Sequence, residues 1–100
     1  PGQMRSHYAP AGRVRLEANE VHISEHLIAF GAELPTGSEH AAAIVNLSRD
    51  GDLREAAANL FRVLAAFDRP EIERIAVMPI PRTGLGLAIN DRLSRAAAPR

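Results

Sequence analysis

The chain has 100 residues, of which 24% are charged and 46% hydrophobic, values typical of one soluble domain. It contains no cysteine, which excludes a disulfide framework, a thiolate nucleophile, an iron–sulfur cluster and any zinc site that needs sulfur. All 12 basic residues are arginine and 12 acidic residues balance them, so lysine chemistry is excluded and the excess positive charge typical of nucleic-acid-binding proteins is missing.

The first half of the chain predicts short strands separated by turns. Residues 1–12 begin with proline, end with glycine and follow no regular period, which indicates a linker. Residues 13–18 alternate polar and apolar side chains, and this pattern predicts a half-buried strand at a sheet edge. The apolar runs at residues 26–31 and 41–47 predict two more strands, and the turn-forming residues 35–40 separate them.

A helical period begins at residue 52. Apolar side chains recur at helical spacing from Leu53 to Phe67, which predicts an amphipathic helix. Its start resembles a capping box, in which the Asp52 carboxylate accepts hydrogen bonds from the first-turn amides and Glu55 reaches back to the helix start. Residues 68–70 contain a proline and end the helix.

The last third of the chain predicts one strand and one helix. Residues 75–80 are almost continuously apolar, as in a strand that is buried on both faces. A second helix is predicted to follow from about residue 87 to residue 98. Its spacing predicts that one side of the helix is buried and consists of Leu85, Ile89, Leu93 and Ala96 or Ala97. The other side, with Asp91, Arg92 and Arg95, is predicted to face water.

The order of these elements predicts an α/β fold. From residue 41 onward, strand, helix, strand and helix form a βαβα unit, whose sheet should be parallel and whose crossover should be right-handed. The first 40 residues add one or two strands through extended connections, which favours a mixed sheet. We therefore predict a small domain of two or three layers over residues 13–100, with a mostly parallel or mixed sheet and two main helices.

A glycine-rich turn joins the last predicted strand to the last helix. The backbone amides of such a turn, together with the helix dipole, can hold a phosphate, so Thr83, Gly84 and Gly86 form a weak candidate anion site. The motif is incomplete, because a dinucleotide-binding turn needs a third small residue where Ile89 stands. The alternative is structural, since glycines permit a tight turn and close packing whether or not a ligand binds.

The sequence indicates no residues for catalysis or metal binding. His22 and His26 are four residues apart, but His26 lies in a predicted strand and no third ligand is nearby. Helix capping, salt bridges and solvation explain the carboxylates, and no hydrolase motif is present. We therefore predict no catalytic residue and no metal site. Because no apolar run could span a membrane and no signal peptide is recognisable, we expect a cytoplasmic protein without membrane attachment.

The predicted linker contains two side chains suited to ligand contact. His7 and Tyr8 supply an imidazole, a phenol and an aromatic face in a segment that has no core of its own. Such residues can stack on a base or reach a phosphate. The alternative is that Tyr8 packs the linker against its own domain.

Three blocks of the sequence resemble the long, two-domain threonylcarbamoyl-AMP synthases. Residues 1–10, which end in His-Tyr-Ala-Pro, are similar to the linker between the two domains of that family. Residues 46–61, with the motifs Asn-Leu-Ser and Gly-Asp-Leu, resemble the middle of the family's C-terminal domain, and residues 80–100 resemble its end. The blocks occur in the family's order, so the resemblance covers the whole chain.

The resemblance implies a parent enzyme that joins ATP, L-threonine and bicarbonate into threonylcarbamoyl-AMP, releases pyrophosphate and serves tRNA modification. It assigns this nucleotidyl transfer to an N-terminal YrdC-like domain, which would be the partner of the present chain. Residues 13–100 would then form a Rossmann-like, Sua-type accessory domain that is itself non-catalytic. In the family the linker crosses the mouth of the catalytic cleft, so the resemblance makes His7 and Tyr8 candidates for contact with ATP, the implied cofactor.

The resemblance leaves several points open. Gln3 stands where many members have methionine, which puts any role of residues 3–6 in doubt. Other tRNA-modification proteins are further candidate partners, whereas we do not expect direct tRNA binding. The alternative function is an independent regulatory module that binds a nucleotide or an anion at the turn of residues 83–86.

Overall fold

The computed structural model describes residues 10–98, which form one parallel sheet with two helices on one of its faces. His7 and Tyr8 lie outside the described residues. The strands are β1 (Arg13–Arg15), β2 (His26–Ala29), β3 (Ala43–Asn46) and β4 (Arg74–Val77), and the helices are α1 (Leu53–Ala66) and α2 (Leu85–Ala97). A short 3-10 turn, Ser38–His40, lies between β2 and β3. Within the described part of the chain, neither helix is long and apolar enough to cross a membrane.

The strands lie in the order β1-β4-β2-β3, and every pairing in this sheet is parallel. The predicted α/β fold is confirmed, as is the position of β1 at an edge. The expectation that the first strands make the sheet mixed is wrong. Residues 16–25 and 30–42 each carry the chain back to the amino end of the sheet without an α-helix, so β2 and β3 begin at the same edge as β1.

The main core lies between the sheet and the two helices. The register aligns Val14 and His26 with Ile75, and His26 makes an edge-to-face contact with Phe67 at 5.3 Å between ring centroids. The buried members of this core include Ile28, Leu47, Leu60, Val63, Leu64, Ile72, Ile75, Val77, Ile80, Ile89 and Leu93. Helix α1 thus buries the apolar side that its period predicts, and strand β4 is buried on both faces, as its apolar run predicts.

The buried side of helix α2 differs from the prediction at the start of the helix. Ile89, Leu93 and Ala96 are buried as expected, but Leu85 is 46% exposed, so its predicted burial is wrong. Beside Ile89, the interior positions of the first two turns belong to Gly86 and Asn90. Glycine has no side chain to count in a hydropathy pattern and asparagine is polar, so the pattern assigned the interior to the nearest large apolar residue.

The opposite face of the sheet has a smaller core that is covered by loop rather than helix. Its buried residues are Ala18, Val21, Leu27, Ala29 and Ala76. Small side chains on this face let residues 16–25 pack directly against the strands, and the Ala18 amide donates to the Val77 carbonyl over 2.8 Å. Within this covering loop, Glu25 is buried and forms a salt bridge with Arg15 of β1.

Candidate functional site at the carboxyl edge of the sheet

The loops that follow the four strands meet at one edge of the sheet. Because all pairings are parallel, the carboxyl ends of the strands lie together, and α/β proteins bind ligands outside this edge. The turns before α1 and before α2 both lie here, after β3 and β4 respectively. Two of the three sequence blocks that resemble the synthase family cover these turns, which makes the edge the candidate site.

The turn after β3 is fixed by a chain of side-chain hydrogen bonds. Asn46 Nδ2 donates to the Gly31 carbonyl over 2.9 Å, while Asn46 Oδ1 accepts from the Ser48 amide over 3.0 Å. Ser48 Oγ accepts from the Asp52 amide over 2.9 Å and donates to Glu55 Oε1 over 2.6 Å. The ends of β2 and β3 are therefore joined to the start of α1 by these polar groups.

The predicted capping box is half correct. The Asp52 carboxylate accepts from the Arg54 and Glu55 amides over 2.9 Å and 3.4 Å, as predicted. Glu55, however, accepts a hydrogen bond from Ser48 Oγ. The Asp52 amide, which Glu55 was expected to bind, donates to Ser48 Oγ instead. Ser48 lies four residues before the cap, so the three-residue spacing of a capping box could not reveal its part in the helix start.

A groove of 830 Å³ opens beside this turn. Its walls combine apolar side chains with the fixed polar turn and comprise Ala32, Leu34, Ile44, Val45, Asn46, Ser48, Arg49, Asp50 and Glu55. Leu34 and Ile44 are 45% and 41% exposed. Arg49, Asp50 and Glu55 are the exposed charged residues of the lining. The groove was not predicted, because its lining combines the loop after β2 with β3, the turn that follows β3 and the first turn of α1.

Ser48→Ala is expected to lower the free energy of unfolding by about 1 kcal/mol, because the Asp52 amide and the Glu55 carboxylate would both lose the hydroxyl that joins them. Urea unfolding followed by circular dichroism measures this loss. The matched control is Ser94→Ala, which removes an exposed hydroxyl from α2 and should change little. Equal stability of the two variants would contradict the role of Ser48.

The glycine turn before α2 occupies the place predicted for it. Thr83 and Gly84 are exposed, and Gly84 has φ 53° and ψ −131°, a conformation that side chains rarely adopt. The Gly86 amide donates to the Thr83 carbonyl over 2.8 Å, and the Leu87 amide donates to the Gly84 carbonyl over 3.1 Å. Two of the first amides of α2 thus have partners within the turn, and anion binding at Thr83, Gly84 and Gly86 stays a prediction.

Gly86 is required for packing. A Cβ atom at this position would lie 1.8 Å from the Pro81 carbonyl oxygen, so only glycine lets α2 approach the segment that follows β4. Asn90, one turn later, is buried and donates from Nδ2 to the carbonyls of Ile80 and Gly86 over 3.0 Å and 2.7 Å. The sequence signal for these hydrogen bonds was a polar residue on the interior side of an amphipathic helix, and it was missed.

Arg82, beside the turn, pairs with a residue at the end of β1. Its guanidinium Nη2 lies 2.8 Å from Glu17 Oε2, and both side chains are at least half exposed. Glu17 has φ 55°, a left-handed conformation that is uncommon for a residue with a side chain. The pair links the loops after β1 and β4 across the carboxyl edge of the sheet. Exposed ion pairs of this kind add little stability.

The predicted linker joins the domain at the opposite edge of the sheet. Pro10 is fully buried, and the Ala11 amide donates to Asp68 Oδ1 at the end of α1 over 3.0 Å. A Cβ atom at Gly12 would lie 2.4 Å from the Ile72 carbonyl oxygen, so the chain is tightly packed there. Because β1 begins at Arg13, these contacts lie at the amino edge. The root of the linker and the glycine turn are therefore at separate ends of the sheet.

The two histidines that could have suggested a metal site lie in different elements. His26 belongs to β2 and contacts Phe67, whereas His22 lies in the loop that covers the other face. The His22 amide donates to Glu25 Oε1 over 2.7 Å. Among the described residues, no group of three or more potential ligands is placed to hold a metal ion.

Comparison with known proteins agrees with the sequence blocks. The profile of the family described as "Threonylcarbamoyl-AMP synthase, C-terminal domain" matches residues 1–98. The threonylcarbamoyl-AMP synthase of Bacillus subtilis (strain 168) is 30% identical over 111 aligned residues, which cover 100% of this chain and 32% of the relative. The chain thus spans about one third of the length of this relative. No solved structure matches it. The chain belongs to the family of threonylcarbamoyl-AMP synthase C-terminal domains.

Proposed function

We propose that this domain is the non-catalytic, accessory part of a threonylcarbamoyl-AMP synthase and that it anchors a lid. The lid is the linker, residues 1–12, and the cleft that it closes belongs to an N-terminal YrdC-like catalytic domain of the same polypeptide. The reaction would convert ATP, L-threonine and bicarbonate into threonylcarbamoyl-AMP and pyrophosphate for tRNA modification in the cytoplasm. A mixed anhydride of this type hydrolyses readily, so the cleft must exclude water while it forms.

The fixed root of the linker is the observation that carries this proposal. Pro10 is buried, Ala11 is hydrogen-bonded to Asp68, and Gly12 packs against the Ile72 carbonyl. A lid works only if one end is held while the other closes, and these contacts supply the held end. His7 and Tyr8 come two and three residues before Pro10, so they are the side chains that such a lid would bring to ATP. Other tRNA-modification proteins are further candidate partners of the complete enzyme.

Three carboxylates of the described residues are engaged in structural contacts. Glu25, the most buried carboxylate, is engaged by Arg15 and by the His22 amide. Glu55 is bonded to Ser48, and Asp52 caps α1. These carboxylates hold loops and helix ends in place, which is a structural role.

Calorimetric titration of ATP tests the proposal. We expect no binding to the 100-residue chain and clear binding to the full-length polypeptide that carries it, measured with L-threonine present. Binding to the chain alone would contradict the accessory role and place a nucleotide site inside the domain, as in the alternative of a regulatory module at the glycine turn. Weaker binding by Thr83→Val would then place that site at the turn, since this exposed side chain can change without the packing conflict that any substitution at Gly86 creates.

In the full-length polypeptide, Tyr8→Ala is expected to lower the rate of pyrophosphate release by about a hundredfold, because a lid that closes poorly misplaces the reacting groups. His7→Ala should act in the same direction. Ser94→Ala, on the exposed side of α2, is the control and should leave the rate unchanged. Full activity of both linker variants would overturn the assignment of residues 7 and 8 to ATP contact.

A further inference from the structure

The outer surface of the helix layer carries an apolar groove between α1 and α2. This groove has a volume of 210 Å³ and is lined by Ala57, Leu60, Phe61, Ala88, Ile89 and Arg92. Phe61 is 58% exposed, although phenylalanine is a residue that usually lies in a core. Arg92 was expected in water, but its guanidinium carbon lies 4.5 Å from the centroid of the Phe61 ring. That expectation is therefore corrected to a half-buried position.

The composition of this surface is typical of the centre of a protein interface. Aromatic residues and arginine are enriched at such centres, and anchoring side chains of a partner fill pockets there. Ala57 and Ala88 line the pocket from the two helices. Leu85 is 46% exposed and lies three residues before Ala88, on the same stripe of α2. The surface formed by Phe61, Leu85, Ala88 and Arg92 is called the helix-layer patch below.

The path of the chain indicates what covers the helix-layer patch. The linker enters the domain beside the carboxyl ends of both helices, because the Ala11 amide is bonded to Asp68 just after α1 and residues 11–14 share a groove with residues 96–98 at the end of α2. Arg92 is one helical turn, about 6 Å, from Ala96. Whatever precedes the linker is thus attached to the domain at the end of the helix layer where α1 and α2 end. The relative from Bacillus subtilis is about three times as long as the matched chain, so it has a further polypeptide large enough to form a domain.

We propose that the helix-layer patch is the surface on which the N-terminal part of the same polypeptide docks. This inference rests on the proposed function, since it needs a catalytic domain before the linker. The docking partner presents an apolar side chain to the depression over Ala57 and Ala88. Contact at the patch and the fixed root at Pro10 together set the angle between the two domains.

Cysteine labelling in the full-length polypeptide tests the docking surface. The domain has no cysteine, and Leu87 is 59% exposed on another side of α2, which makes it a close match for Phe61. Phe61→Cys should react with a maleimide about tenfold more slowly than Leu87→Cys, because only the first position is covered. Rates are normalised to those of each variant in urea, and mass spectrometry of the domain's peptides separates these cysteines from any elsewhere.

Each outcome has a defined meaning. Equal normalised rates at the two positions, or slower labelling of Leu87→Cys, would overturn the proposal. Slow labelling of Phe61→Cys that becomes fast on dilution would assign the patch to a second copy of the protein, and protection that requires added tRNA would assign it to RNA. Pyrophosphate release by wild-type polypeptide is measured in parallel. An active enzyme with an uncovered Phe61 would disprove the docking surface alone, whereas an inactive one would count against the proposed function.

Discussion

Gly86→Ala is expected to destabilise the domain by about 3 kcal/mol, at the upper end of what an added methyl group costs in a packed interior. The new Cβ would lie 1.8 Å from the Pro81 carbonyl oxygen and 2.9 Å from its carbon. These are backbone atoms, so no rotamer change relieves the contact. The approach is also fixed by Asn90, which holds the Ile80 and Gly86 carbonyls together. Helix α2 must therefore move away from the end of β4.

Urea unfolding of Gly86→Ala and of Leu87→Ala, its neighbour, provides the measurement and the control. Leu87 is 59% exposed, so its truncation should change the free energy of unfolding by no more than about 0.5 kcal/mol. If Gly86→Ala were as stable as the wild type, α2 would have to tolerate a shift away from Pro81. In that case the turn would not be tightly packed, and the presence of glycine at residue 86 would need an explanation other than packing.

Arg15→Leu is expected to cost about 2 kcal/mol, because it leaves the buried Glu25 carboxylate without its main partner. Arg15 donates from Nη2 and Nε to the two carboxylate oxygens of Glu25 over 2.8 Å and 3.2 Å. The full cost of an unpaired buried charge would be larger, but the Arg15 side chain is 37% exposed, so water screens part of the interaction. Arg13→Leu, on the same strand and exposed, is the control and should be nearly neutral.

The same pair predicts an acid-dependent loss of stability. Burial raises the pKa of Glu25, but the hydrogen bonds from Arg15 and the His22 amide and the charge of Arg15 outweigh this effect, so the pKa lies below its usual value. A carboxylate with a lowered pKa stabilises the fold above its unfolded pKa of about 4.3, and this stabilisation is lost as the pH falls through the lower folded value.

Unfolding measured from pH 7 to pH 3 tests this sign. Glu25→Gln should be less stable than the wild type at pH 7, and the difference should shrink as the wild-type carboxylate becomes protonated. The Arg15 guanidinium, whose pKa is raised by the hydrogen bond to Glu25, stays charged throughout this range. A constant difference between the two proteins over the whole range would contradict the assignment to Glu25.

The elements that the sequence predicted well are those whose signal is local. Helix α1 is set by its apolar period and by Asp52, which are both readable within its own residues, and the structure places it at Leu53–Ala66. Strand β4 is buried on both faces, as its continuous apolar run indicates, and it ends at Val77 before Pro79. In both cases the sequence signal lies within the element itself or directly beside it.

The features that the sequence did not reveal depend on partners distant along the chain. The burial of Gly86 and Asn90 in place of Leu85 depends on their contacts with residues 80 and 81. The salt bridge between Arg15 and Glu25 depends on how a loop folds back over the sheet. The parallel direction of β1 and β2 depends on that same loop. A pattern within one element carries no information on contacts of this kind.

The candidate site could be placed only coarsely. The glycine turn lies at the carboxyl edge, as a strand-to-helix turn must in a parallel sheet. The network from Asn46 through Ser48 to Glu55 was not foreseen, because these residues are common in turns and no spacing rule joins all of them. The linker residues His7 and Tyr8 lie outside the described residues, and their contact with ATP stays a prediction.

The strand order has a consequence for the way the chain folds during synthesis. Within the described residues, β1 pairs in the sheet with β4 alone, and β4 also separates β1 from β2. Strands β2 and β3 can form a two-stranded ribbon early, but β1 has no neighbour in the sheet until Arg74–Val77 has left the ribosome. Such non-local pairings fold slowly. A ribosome that pauses before residue 74 would hold a nascent chain whose apolar strands are exposed, so this domain is expected to need the whole of its sequence before it becomes protease-resistant.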